Sequence, residues 1–148
     1  MPDEADPGAG LVNLCFAGTG ALVATSAAAA ALPDTFATVH AGLSVVLFVV
    51  GTAALLWAYA LGVARSRVEL IGIPGLFLLG DGAAPAPTRR AFRIALLVQV
   101  VVVVAAAAVR PFTEVAFGIL APMFGLGLMG MWGGRHGTFP PRPPKQAA

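Results

Sequence analysis

The chain has 148 residues, of which 58% are hydrophobic and only 11% charged, with a formal net charge of +2 and a pI of about 9.3. A soluble domain carries about 25% charged residues, so this chain has too little charge to cover a water-facing surface, and a core of this size leaves much of its surface outside. A nucleic-acid partner is excluded as well, because the basic residues flank apolar segments and build no basic face interleaved with aromatics.

Residues 1–8 carry Asp3, Glu4 and Asp6 beside two prolines and read as a short solvated tail. Residues 10–32 are apolar and alanine-rich. At about 1.5 Å per residue they are long enough to cross a hydrocarbon core of about 30 Å. This is the weakest span, since alanine adds little to insertion and Asn13, Thr19, Thr25 and Ser26 have to face other helices. A cleaved signal peptide competes for the segment, with small residues from Ala27 to Ala31. Acids stand where a basic leader belongs, however, so the segment is read as a retained span. Cys15 is the only cysteine, which leaves no intrachain disulfide and no paired-thiol chemistry; it is expected as a small buried hydrophobe.

A break at Pro33, Asp34 and Thr35 precedes a second span at residues 40–64, which ends at Arg65 and Arg67. Trp57 and Tyr59 fall in its last two turns, where amphipathic rings prefer the headgroup level. Ala54, Ala58 and Gly62 recur every four residues and make a smooth stripe against which another backbone can come close. Residues 70–79, LIGIPGLFLL, are apolar but too short to cross. Gly72, Pro74 and Gly75 break the run, so it is expected as an interfacial or re-entrant segment. Packing on the helix ends is favoured over re-entry, because irregular backbone at depth needs shielding by protein. Residues 80–88, with Asp81, read as a flexible linker.

The third span, 93–110, is bounded by Arg93 and Arg110, whose long stems let both charges reach the interface. Gln99 is the only amide deep inside it. Gln99 and Asn13 are both expected to point into the bundle as interhelical glue worth about 0.6–2 kcal/mol. Arg110-Pro111 supplies a tight reversal into a fourth span at 112–132, making a helical hairpin. Ala121 and Gly125 give this span a smooth face, thinned further by Gly118, Gly127 and Gly130, and Pro122 predicts a kink in a tightly packed helix. Residues 134–148 form a second flexible tail, with 140–144 favouring extended polyproline conformation.

On this topology Arg65, Arg67, Arg89, Arg90 and Arg93 share one face with Arg135, Arg142 and Lys145, and Arg110 stands alone on the other. The positive-inside rule then places both termini in the cytoplasm. Each arginine near an anionic membrane surface gains about 1 kcal/mol, and the cluster is read as topology signalling. The excess of arginine over lysine and the abundance of alanine fit a GC-rich bacterial genome, so the expected location is a bacterial plasma membrane.

The chemistry left to such a chain is narrow. No span interior carries the charged side chain that proton-coupled transport by a small four-helix protein requires. One cysteine cannot run quinone-linked thiol chemistry, and His40 and His136 fall on opposite faces, where they cannot share a haem. No ligand spacing for zinc is present, so neither a cofactor nor a metal is expected. Asp34, His40, Arg110 and Glu114 converge on the outer face in this reading, as a weak exposed cluster without a nucleophile.

The runs RVELIGIPGLF at 67–77 and EVAFGILAPMFGLGLMGMWGGRHGTFPPR at 114–142 resemble small four-pass membrane proteins of actinobacteria. That resemblance covers most of the chain and implies a fold, with no activity and no site residues to carry over. The expectation is thus an all-α, single-domain bundle of four transmembrane helices. It is expected to act as a non-enzymatic accessory or scaffolding subunit that packs against a membrane partner or its own copies. The alternative is a small transporter or channel-like protein, with Gln99, Asn13 and the kinked fourth span lining a path.

Overall fold

A computed structural model describes residues 8–80 and 82–143. The expectations for the acidic N-terminal residues, for Asp81 and for Lys145 lie outside the described residues. The helices run α1 (Ala9–Ala31), α2 (Pro33–Arg65), α3 (Ile73–Leu78), α4 (Ala86–Val109) and α5 (Pro122–His136), and a 3-10 helix, Glu114–Leu120, leads into α5. Four stretches are long and apolar enough to cross a membrane: α1, α2, α4 and the combined Glu114–His136. Among the described residues the only β feature is an isolated antiparallel bridge between Glu69 and Pro141. The chain is an all-α bundle of four membrane-length helices.

Proline chemistry sets both reversals at one end of the bundle. Leu32, before Pro33, has φ −130 and ψ 68, and Arg110, before Pro111, has nearly the same values, φ −127 and ψ 62. In both, the proline ring pushes the preceding residue out of helical space; Pro33 then suits the first turn of α2, where its missing N–H costs nothing, while Pro111 sits in the turn before Glu114. The break after α1 is therefore a single residue, and α2 starts at Pro33 rather than at residue 40. With 33 residues, α2 is about 50 Å long against a core of about 30 Å, so its ends project or it tilts.

The other end gathers the start of α1, the end of α2, the start of α4 and the end of α5. Gly8 lies against Trp132 and His136, Arg65 reaches the carbonyls of Gly134 and Gly137, and Arg93 donates to the Leu78 carbonyl at 3.0 Å. This is the arginine end: Arg65, Arg67, Arg89, Arg90, Arg93, Arg135 and Arg142 belong to it, and Arg110 belongs to the reversals opposite.

The fourth span is the central one, 56% buried over its apolar window against 28% for each of the other three. Its glycines explain how. A Cβ on Gly127 would strike the Gly51 carbonyl, and one on Gly51 would strike the backbone of Met123 and Phe124, so α2 and α5 touch backbone to backbone. The α2 stripe expected to pack, Ala54, Ala58 and Gly62, is buried, with Ala58 against Gly130 and Gly134 of α5 and Gly62 against Leu76 of α3; Ala121 and Gly125 are buried too, Gly125 against Gln99 of α4. Without a hydrophobic drive between helices in lipid, such close approach is what holds them together.

Pro122 stands at the first position of α5 instead of inside a bent helix. The fourth span is two helices, 3-10 then α, joined at Ala121. The short α3 packs over the helix ends, with Leu76 in the notch left by Gly62 and Phe77 in that left by Gly130. Residues 137–142 also dock: Leu70 donates to the Pro140 carbonyl at 2.8 Å and Arg142 donates to the Val68 carbonyl at 2.9 Å. Pairing uses only these groups because the prolines have no N–H to give. Within the expected linker, Ala83 and Ala84 are buried, and Thr138 donates to the Ala83 carbonyl at 3.0 Å.

Candidate functional site

Gln99 lies near the middle of α4 and is 1% exposed. Its amide nitrogen donates to the Thr19 hydroxyl at 2.7 Å, which in turn donates to the Cys15 carbonyl at 2.8 Å. Its amide oxygen accepts the Gly125 N–H at 3.2 Å. The reason for the last bond is the broken fourth span. A helix start leaves its first N–H groups without intrahelical partners, and in lipid no water replaces them. Pro122 has no N–H, Phe124 bonds back to Ala121 at 2.9 Å, and Gly125 is served by Gln99 from another helix. A Cβ on Gly125 would sit 2.6 Å from that oxygen, so only glycine leaves room. One side chain thereby ties α4 to α1 and to α5.

A second buried polar centre lies toward the reversals. His40 is fully buried on α2, with Nδ1 3.2 Å from Thr25 Oγ1. The Thr25 hydroxyl also lies 2.9 Å from the Ala21 carbonyl and 3.2 Å from the Leu22 carbonyl. Nε2 faces Gly118, where a Cβ would lie 2.6 Å away, and has no hydrogen-bond partner among the described residues.

This revises the outer cluster expected from the sequence. His40 is inside the bundle and Asp34 is exposed on the first turn of α2. Glu114 accepts from the Thr38 hydroxyl at 2.9 Å, and Arg110 donates to the Ala30 carbonyl at 3.2 Å. The four side chains do not form one group, because the single-residue turn at Leu32 extends α2 by two turns and carries His40 below the surface.

Asn13 is the other correction. The sequence predicts that it points inward, but the buried face of α1 is Cys15, Thr19, Leu22, Ser26 and Ala29, and Asn13 lies on the opposite side, exposed. There it belongs to a seam that sequence reading missed. Gly10, Asn13, Ala17, Gly20, Ala24, Ala27 and Ala31 are all exposed and alternate by three and four residues along the whole of α1. That spacing has the 3.5-residue period of a helix–helix seam. Cβ atoms built on Gly10 and Gly20 meet nothing within 4 Å. The outward faces of α2 and α4 differ, for they present Val45, Val46, Val49, Val101 and Val104, bulky residues suited to lipid.

No protein-family model, curated protein or solved structure matches the chain. The surfaces of the bundle are what remains to indicate a role.

At the arginine end, Arg65 donates to the carbonyls of Gly134 and Gly137 at 3.0 and 2.8 Å, pairs with Glu69 at 2.9 Å and stacks over Phe139 at 5.2 Å. A residue legible only as topology charge thus caps the last carbonyls of α5. Trp132 is 3% exposed beneath Gly8 and tilted against His136, whereas Trp57 and Tyr59, expected at headgroup level, are exposed in the last turns of α2.

Proposed function

We propose that this chain is a non-enzymatic accessory or scaffolding protein of the bacterial plasma membrane, with both termini in the cytoplasm. Through α1 it docks on a partner membrane protein or on a second copy of itself. The observation that carries the reading is the outward seam of α1. Seven small or polar positions at alternating three- and four-residue spacing give lipid little to hold, but they let another helix approach closely. Asn13 within the seam supports it further, because a polar side chain at one seam position fixes register between helices. The arginines gathered at one end support the orientation, since the positive-inside rule places that end in the cytoplasm.

A transporter or channel-like path draws no support from Gln99, whose amide is bound on both sides, or from Asn13, which lies on the surface rather than beside it. The test is purification in mild detergent with co-purifying proteins identified, beside disulfide cross-linking of Ala24→Cys in a Cys15→Ala background. A partner or a cross-linked dimer is expected, and Gly20→Leu is expected to abolish it while the monomer stays folded. Neither partner nor self-association, or an association indifferent to Gly20→Leu, contradicts the reading.

A further inference from the structure

We infer that α4 carries a binding site for one anionic phospholipid, with its headgroup at Arg89, Arg90 and Arg93 and an acyl chain along the groove beside the break in the fourth span. The three arginines, with Ile94 and Leu97, line a recess of about 380 Å³ at the arginine end of the bundle. Spacings of three and four residues bring their guanidinium groups onto neighbouring positions of one helix, where like charges repel. The positive end of the α4 dipole adds to that repulsion. Among the described carboxylates, Glu69 is paired with Arg65, and Asp34 and Glu114 lie at the opposite end. A phosphate bridging the guanidiniums answers this charge with bidentate hydrogen bonds.

The apolar half of the site follows along the Arg89–Arg93 line of the helix, with Arg90 about a quarter turn to its side. Leu96 and Val100 lie one and two turns beyond Arg93, at the spacing that keeps them in line with Arg89 and Arg93. They form one wall of a second groove of about 380 Å³, closed by Phe48 of α2 and by Leu120, Pro122 and Met123 at the junction of the 3-10 helix and α5. That groove lies where the fourth span changes helix type. From Arg93 to Val100 is about 10 Å along the axis, inside the roughly 15 Å depth of one leaflet. Charge at the surface and an apolar channel beneath it, reached along the Arg89–Arg93 line, match a phospholipid rather than a soluble anion.

Thermal unfolding of the full chain in neutral detergent tests this, titrated with phosphatidylglycerol, with phosphatidylcholine of the same acyl chains, or with inorganic phosphate. Phosphatidylglycerol is expected to stabilise at much lower concentration than phosphatidylcholine, and inorganic phosphate is expected to do little. Arg90→Gln, at an exposed position, should weaken the preference about fivefold, and Arg89→Gln with Arg93→Gln should remove it stepwise. Arg135→Gln, which removes the same charge elsewhere at that end, should leave it unchanged. Val100→Trp should fill the groove and weaken both lipids together. Equal action of the two lipids or of inorganic phosphate, an Arg90→Gln variant with its preference intact, or an equal loss in Arg135→Gln would overturn the proposal.

Discussion

Gln99 shows what a single polar side chain does where water is absent. Replacing it with leucine orphans the Gly125 N–H and removes the donor to the Thr19 hydroxyl oxygen, and should lower stability by about 1–3 kcal/mol. Thr19→Val, which spares Gly125, should cost less, and a double-mutant cycle measured by unfolding in detergent should find the two changes coupled. A Gln99→Leu protein as stable as wild type would refute the bridging role. The inward direction of Gln99 is legible in the sequence, because it is the only amide deep in an otherwise apolar span. Its partners are not, since they depend on where the fourth span breaks. Asn13 looks equivalent in composition but lies in the second turn of α1, on the face opposite Cys15 and Thr19, and α1 is too evenly apolar for its sequence to say which face is inside.

Among the elements, the contact of α2 with α5 makes the sharpest prediction. Gly127→Ala drives a methyl into the Gly51 carbonyl and should destabilise the protein strongly. Gly42→Ala, at an exposed α2 position with nothing within 4 Å, should gain about 0.5–1 kcal/mol from helix propensity alone. Opposite signs for two chemically identical changes are the expected outcome in thermal unfolding, and equal effects would show that α5 does not press on α2 as described. Arg65→Gln should free residues 137–142 from α2 and α5, which faster amide hydrogen exchange confined to that segment would report. Unchanged exchange there would deny Arg65 its capping role. The small-residue stripe of α2 can be read from spacing alone. The start of α2 at Pro33 and the two-part fourth span cannot, because both turn on backbone geometry around a proline, which tolerates a helix start, a kink or a break alike.

At the scale of the whole molecule, apolar length and sparse charge make four membrane-length helices legible in the sequence. Which surfaces remain uncovered is hidden there, for exposure is decided by how the four pack and not by any one of them. Sidedness is the claim on which orientation, the α1 docking face and the arginine surface all depend. It is tested most directly by single cysteines placed in a Cys15→Ala background at Phe112, Arg90 and Arg142, and labelled in intact cells with a membrane-impermeant thiol reagent. The expected result is labelling of Phe112→Cys from outside, with Arg90→Cys and Arg142→Cys reacting only after the membrane is opened. Reaction of position 90 and position 142 from opposite sides would contradict the four-crossing bundle.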